Sequence, residues 1–566
     1  MKKIHFLMLI IVLSAWLLTG CTDDSEDEVT INSFTASASN VLANDAVTLT
    51  WDVTGATSLS ISPDVGDVTG QTSVAAYPLS DTTYTLTAAN SDQTKTATVE
   101  ITTDLAGYAY LSNPITATGD GTLKDENDQT NAALDGARSQ VQLKYLDGSG
   151  SLIGTYADLS APGIYGAEPP EDYTPGSVVT DTDSYHFSRD TYAFSEVNCY
   201  YHITATHDLL TQMGFSDIIN YAIPIHAFYE EDLNAFYSGY DRGLHFGYHY
   251  YYQDYYYIGP DSSEDSEVVV HEYGHAIQAD QYYNWGSLNV QGAMGEGFSD
   301  FLGQLSAGDT RFLYYEGEWF AHLFPSYVSP EGIPYLRPLN TDRTFPDDLG
   351  IIYINDPDRG TGIRYQVHYD GIFWSSALMA LHDALVAVSS DKKLKTLELV
   401  IQSHYDKPKT FREAGTAILA ANTALYEDID KDTINAILTQ RGMFAEPAPP
   451  SSYPVSTVTP NSTTTLITYA PLCHYAQVTI GEGVSQLQIK TTIDDSNPNA
   501  DMDLYIRKDS VHFYDYDYYA ATEAGNETVT LDNPAAGTYG ICIHSYSKFG
   551  YYGTGFVTYY LTIETS

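Results

Sequence analysis

The five residues "HEYGH", His271 to His275, constrain this chain more than any other stretch, because a helical backbone there brings two imidazoles together. On a helix His271 and His275 project from one face about one turn apart, the separation two imidazoles need to hold one metal ion. Glu272 would lie about 100° round the helix from His271, within reach of a metal-bound water but badly placed to compete as a ligand. Its place is that of a general base. A catalytic zinc commonly takes three protein ligands and keeps a fourth position open, so one further donor has to come from elsewhere. Downstream, "GAMGEGFSDFLG" has the pattern of a second helix on which Glu296 and Asp300 share a face. Two acids aimed one way are costly unless a cation or a donor answers them. Glu296 as the third ligand, and Asp300 as acceptor of a ligand histidine's ring N–H, would satisfy both. The apolar run Val268 to Val270 is expected to bury the start of the first helix, and Gly274 and Ala276 leave little bulk beside the second imidazole.

At these residues the chain resembles the glutamate-zinc peptidases of the thermolysin-like clan, most closely the fungalysin-like branch. The resemblance rests on HEYGH, on "GAMGEGFSD" after it and on two further segments. "NAFYSG", with Asn234, Ala235 and Phe236, is similar to the edge strand whose asparagine holds a substrate's main chain in such enzymes. "VHYDGIFWSSALMAL" is similar to a later helix whose histidine, here His368, stabilises the transition state. The resemblance spans residues 104–445 and implies a two-lobed α+β thermolysin-like core, with a largely β lobe before the metal helix, a helical lobe after it and a cleft between. It implies zinc held by His271, His275 and Glu296, with Glu272 as base, in an endopeptidase acting on proteins or peptides. In one respect the chain departs from the pattern. No tyrosine occupies the place before Glu296 where thermolysin carries a second oxyanion donor; Ser287 falls there, and Tyr282 and Tyr283 are the neighbouring alternatives. The histidines His202, His207, His226, His245, His249, His382 and His404 have no ligand-like spacing and read as structural.

The start of the chain reads as an export signal. Lys2 and Lys3 precede an apolar stretch from Phe6 to Leu18 that is too short for a membrane span, and "LTGC" resembles the bacterial lipoprotein cleavage box. Residues 1–20 are therefore expected to be a lipoprotein signal peptide, Cys21 the lipidated residue, and the acidic residues 21–28 a solvated tether. This places the protein at the cell envelope, anchored by lipid to a bacterial membrane and facing outward, or released outside the cell. A formal net charge of −49 makes nucleic acid an unsuitable partner and leaves the substrate open. Cys473 and Cys542 are candidates for a disulfide in an exported protein, whereas Cys199, inside an expected helix, reads as a buried thiol.

Composition divides the rest. Residues 29–103 alternate apolar and polar residues in short runs such as "VTLTWDV", a β-sandwich pattern that resembles bacterial immunoglobulin-like modules and implies a spacer or adhesive role. Helices are expected over Phe194 to Phe215 and near Gly371 to Ser389, Leu394 to Ser403, Thr410 to Leu425 and Asp432 to Arg441. "HYYYQDYYYIGP" has strand character. "EPAPPSSYP", residues 446–454, has linker composition, and residues 455–566 resemble the pre-peptidase C-terminal type of β-sandwich. Within that last segment Asp494, Asp495, Asp501 and Asp503 offer oxygen ligands to a calcium ion. "FYDYDYY", Phe513 to Tyr519, reads as a solvated edge or a polymer-binding strand face. The expected fold class is thus multidomain, a zinc-peptidase core flanked by two all-β sandwiches. The rival reading is an inactive surface adhesin on a peptidase scaffold, against which Glu272 stands, since binding alone needs no base.

Overall fold

The computed structural model describes residues 28–566 apart from 44, 80, 125–129, 162–172, 177–183, 230–233, 249, 253–254, 258–260, 283–288, 307–314, 318, 320–326, 331–333, 357–359, 452, 471, 495–499, 523–524 and 548–554. The expected signal peptide and Cys21 lie outside the described residues, as do Asp495, Tyr283 and Ser287. The chain divides into two compact units, Met1–Asp104 and Leu105–Ser566.

In the first unit, the strands Thr30–Ala36, Val47–Thr54 and Ser73–Ala76 form one sheet. The strands Asn40–Leu42, Thr94–Asp104, Thr82–Ala89, Ser58–Ser62 and Gly66–Asp67 form a second. Alternation decides which side chains meet: Val47, Leu49 and Trp51 of one sheet share a core with Tyr84 and Leu86 of the other, while the residues between them face outward.

The second unit mixes helices and sheets. Its helices are α1 (Pro114–Thr118), α2 (Ala132–Ala137), α3 (Tyr192–Gln212), α4 (Ser266–Gln281), α5 (Asn289–Ser306), α6 (Val367–Val388), α7 (Lys395–His404), α8 (Phe411–Tyr426) and α9 (Lys431–Gln440). The helices expected from periodicity therefore form within a few residues of their expected ends. α3 carries the fully buried Cys199 and stops before Gly214, whose φ of +90° suits a glycine. α6 is long and apolar enough to span a bilayer, but two thirds of its apolar window is buried inside the protein. "HYYYQDYYY" forms a hairpin of the strands Tyr250–Tyr252 and Tyr255–Tyr257. A four-stranded sheet runs Ala157–Asp158, Ile223–His226, Gly243–Phe246, Ala235–Ser238, so the last of these is an edge strand.

Residues 446–454, whose composition is that of a linker, do not divide this unit. Three of the C-terminal strands, Cys473–Ile480, Ala500–Lys508 and Gly537–Ser547, bury residues on both faces. In Cys473–Ile480, Ala476, Val478 and Ile480 face the sandwich core, whereas Cys473 and Tyr475 join the core to which the helices belong. The same parity holds in the neighbouring strands, with Leu504 and Ile506 opposite Tyr505, and Ile541 and Ile543 opposite Cys542. The strands Ile351–Asp356 and Gly360–Arg364 extend this sheet, Ile363 pairing with Cys473. "FYDYDYY" divides: Phe513, Tyr514, Asp515 and Tyr516 are buried, with Phe513 stacked on Tyr365 at 4.5 Å, whereas Tyr518 and Tyr519 are exposed on the edge strand Tyr518–Ala520.

The expected Cys473–Cys542 disulfide is also corrected. Both are free, buried thiols. The antiparallel register sets Cys542 opposite Tyr475 and Cys473 opposite His544, so the cysteines are diagonal neighbours, and their thiols still lie close enough to hydrogen-bond. Nor are the acids proposed for calcium gathered among the described residues. Asp494 accepts from Tyr560 Oη at 2.8 Å and Asp503 from Tyr505 Oη at 3.3 Å, each taken up locally.

Candidate metal centre

Three helices converge because small residues let their backbones touch. A Cβ on Gly274 of α4 would stand 2.5 Å from Ser299 Oγ and 2.9 Å from Ser299 Cα of α5. Between α5 and α6, a Cβ on Gly297 would stand 2.4 Å from the carbonyl oxygen of Gly371, and one on Gly371 would stand 2.8 Å from Glu296 Cβ. The glycines of "GAMGEGFSD" are thus spacers that bring Glu296 up to α4 and α6. α4 itself starts at Asp265, whose side chain accepts from Glu267 N–H, and Val268 to Val270 bury its first turns as expected.

The result is one cluster. His271 Nε2 stands 3.5 Å from Glu296 Oε2, His275 Nε2 3.5 Å from Glu296 Oε1, and His368 Nε2 3.5 Å from Glu296 Oε2. The rings of His271 and His275 meet edge to face at 4.9 Å, and Glu272 lies with them in a potential ligand group. Glu296 Oε2 is enclosed without a hydrogen bond of ordinary geometry. Imidazole nitrogens gathered round a buried carboxylate at distances too long for hydrogen bonds leave room for a cation between them. Burial works against charge on Glu296, yet the neighbouring His368, then His271 and His275, hold its carboxyl well below the usual range. Burial drives His275 down to about 4, so it is neutral and offers a lone pair at neutral pH.

The tautomers of two histidines are set by their other nitrogens, and they are opposite. His271 Nδ1 lies 2.9 Å from Asp300 Oδ1, an acceptor only, so Nδ1 carries the proton and Nε2 turns a lone pair to the centre. Asp300 is fully buried and is held in turn by Arg337, whose Nε donates to Oδ2 at 2.8 Å and Nη2 to Oδ1 at 2.6 Å. Despite burial, Arg337 and then His271 keep Asp300 ionised, with its pKa far below the ordinary value. At His368 the partner is an amide. Gln366 Oε1 accepts from Tyr369 N–H at 2.7 Å, which fixes its amide so that Nε2 donates to His368 Nδ1 at 2.6 Å. His368 therefore presents an N–H at Nε2, on a side chain that is 47% exposed.

Glu272 is enclosed at 6% exposure. Burial pushes its carboxyl up to about 7, opposed by His271 and Arg337, and it accepts a hydrogen bond from the backbone N–H of Tyr237. Tyr237 belongs to the edge strand Ala235–Ser238, so that strand, which follows Asn234, runs past Glu272. Asn234 is exposed and its carbonyl accepts from Gly247 N–H at 2.8 Å. Tyr282 ends α4 under the ammonium of Lys407, 4.5 Å from its ring. Two contributors escaped the sequence reading. Arg337 opens the two-residue strand Arg337–Pro338, too short to show any periodicity. Asp370, in the first turn of α6 near His368, is buried and accepts from Tyr514 Oη at 2.7 Å and Gly350 N–H at 2.6 Å.

Asp300→Ala should weaken metal retention about 10- to 100-fold, because His271 loses the partner that orients it. Zinc content after dialysis reads this directly, and wild-type retention would reduce Asp300 to a partner of Arg337 alone.

Comparison with known proteins adds one assignment. Residues 474–545 match the bacterial pre-peptidase C-terminal domain. No curated protein matches the chain. Similar solved structures include the periplasmic inhibitor of g-type lysozyme, PliG, from Aeromonas hydrophila, at 13% identity and a TM-score of 0.15 over 20% of this chain and 97% of that one. Another is a β-glucosidase from Paenibacillus barengoltzii, at 8% identity and a TM-score of 0.12 over 94% of this chain and 69% of that one. At those TM-scores neither carries fold or function to this chain.

Proposed function

We propose that the chain is an exported zinc metalloendopeptidase with a thermolysin-like core, preceded by an immunoglobulin-like spacer. The observation that carries this reading is the pair of contacts at the far nitrogens, Asp300 on His271 Nδ1 and Gln366 Nε2 on His368 Nδ1, which assign a lone pair to His271 where a metal ligand needs one and an N–H to His368 where an oxyanion needs a donor. The match to a domain whose name ties it to peptidases agrees with it. His271, His275 and Glu296 would hold the ion. Bound there, zinc supplies an acidified water and polarises the scissile carbonyl. Glu272 takes the proton from the attacking water and passes it to the leaving amine; its pKa near neutrality suits both steps. His368 Nε2–H donates to the carbonyl oxygen as charge develops. The edge strand aligns an extended substrate beside Glu272 by main-chain pairing. Retention of a buried base beside the ligands favours this reading over an inactive adhesin.

Casein hydrolysis by the purified chain, abolished by a zinc chelator and restored by zinc, is the direct test; a zinc-loaded chain that cleaves no protein or peptide overturns the reading. His368→Ala should lower kcat about 10²- to 10³-fold and leave KM nearly unchanged, as removal of one oxyanion donor does. If KM alone moves, His368 binds ground-state substrate instead. The anchor is proposed on Cys21, and Cys21→Ala should release the protein from the membrane fraction, whereas unchanged association would rule out a lipid tether there.

A further inference from the structure

The sheet that carries the edge strand holds a second group of ligand-type side chains, on residues whose spacing in sequence suggests none. His226 ends the strand Ile223–His226, and its register partner on the adjacent strand is His245. Asp241 lies in the turn that joins the edge strand to the strand of His245. The imidazoles stack with centroids 4.7 Å apart and planes 19° from parallel. Asp241 Oδ2 stands 3.6 Å from His226 Nε2 and 3.2 Å from His245 Nε2. One ligand atom of each residue falls within 4.8 Å of the others.

An ordinary buried hydrogen-bond network accounts poorly for this arrangement. His226 is 5% exposed and His245 fully buried; Asp241 Oδ1 is met by His245 Nε2 at 3.3 Å and by Gly243 N–H at 3.2 Å, yet His226 Nε2 and Asp241 Oδ2 are both enclosed without a hydrogen bond of ordinary geometry. At 3.6 Å, His226 and Asp241 are too far apart for a hydrogen bond and too enclosed for water to serve both cheaply. Stacked imidazoles repel when both are protonated, so two charged histidines against one carboxylate is not a stable alternative. A cation between them would answer the nitrogen, the oxygen and the charge together.

We propose that His226, Asp241 and His245 form a second divalent-metal site, which fastens the turn after the edge strand to the sheet. Two imidazoles and one carboxylate are a donor set for zinc-class ions rather than magnesium or calcium. The role is structural. Phe236 stacks on His245 at 4.7 Å and Tyr229 meets its edge at 4.7 Å, closing the group against a substrate-sized ligand. Phe236 is also the register partner of His245, and Tyr237 beside it donates to Glu272, so a tied turn fixes the strand that passes the base. No ligand is shared with the centre at His271, and the two assignments stand or fall separately.

The test uses the full chain, stripped of metal and titrated with zinc. With His271→Ala and His275→Ala removing the first centre, the chain should still bind about one zinc and gain thermal stability from it. No binding by a folded variant overturns the proposal. Crystals of the wild-type chain soaked in zinc and measured at its absorption edge decide the matter without any substitution. An anomalous peak among His226, Asp241 and His245 is expected, whether or not a second appears at His271 and His275. A peak at His271 and His275 alone overturns this site and leaves the proposed activity standing, whereas a peak at the second group alone does the reverse.

Discussion

Glu272→Gln is expected to fold normally, to retain about one zinc at the His271 centre and to lose about 10²- to 10⁴-fold or more of its turnover. The amide preserves the shape of the side chain, and its oxygen can still accept from Tyr237 N–H, so the helix and the edge strand have no reason to move. What disappears is the capacity to take a proton from water. Replacing a partly desolvated carboxylate by an uncharged amide also lifts the cost that burial imposes on its ionised form, so stability should hold or rise. Glu296→Ala should do the opposite, losing zinc first and activity as a consequence, because the imidazoles of His271, His275 and His368 all face that carboxylate at 3.5 Å. Metal analysis, circular dichroism and a peptide assay on the two variants separate the roles. An active Glu272→Gln chain, or a Glu296→Ala chain that keeps both zinc and turnover, would overturn the mechanism.

The parts of this site legible in the sequence are those written in local periodicity. His271 and His275 needed only a helix, and the shared face of Glu296 and Asp300 needed only a second one. The tautomers were not legible, because they depend on Gln366 at one ring and on Asp300 at the other, and the latter is held by Arg337 from a segment of short strands. His226 and His245 read as structural in the sequence, and Asp241 carries no signal there, because a parallel strand pair and a turn bring the three together and neither leaves a spacing rule behind. That the segments on either side of "EPAPPSSYP" pack together was not legible, for a different reason. Proline and serine do mark a chain without regular structure, but composition cannot say whether the elements on either side of such a segment pack against each other. The clue was parity: "CHYAQVTI" and "DLYIRK" place apolar residues on both faces of a strand, which a two-sheet sandwich exposed on its outer faces would not do.

A chain ending at Ala445 is therefore expected not to yield a folded, soluble protein. Tyr365 hydrogen-bonds across the junction to Tyr475 Oη at 2.9 Å and to His512 Nε2 at 3.1 Å, while Arg412 Nε reaches Asp515 Oδ2 at 3.2 Å. Removal of the C-terminal strands uncovers Phe345, Phe373 and Phe411, which share one core with Phe513 and Tyr514. Each large apolar side chain returned to water costs about 1.5 to 3 kcal/mol, and several together approach the whole stability of a domain, about 5 to 15 kcal/mol. The loss would also reach the candidate centre, because Asp370 surrenders the Tyr514 hydroxyl near the start of the helix that bears His368. Burial already raises the Asp370 carboxyl to about 6, so its ionised form depends on the donors around it. Tyr514→Phe isolates that contribution: a loss of about 1 to 3 kcal/mol in urea unfolding is expected from one unmet buried acceptor, with zinc retained. Expression of residues 105–445 followed by gel filtration and denaturant unfolding tests the larger claim. A soluble monomer with a cooperative transition would mean that the C-terminal sheet is an appendage after all, whereas aggregation of the truncated chain beside a well-folded Tyr514→Phe variant is the result its two-faced burial demands.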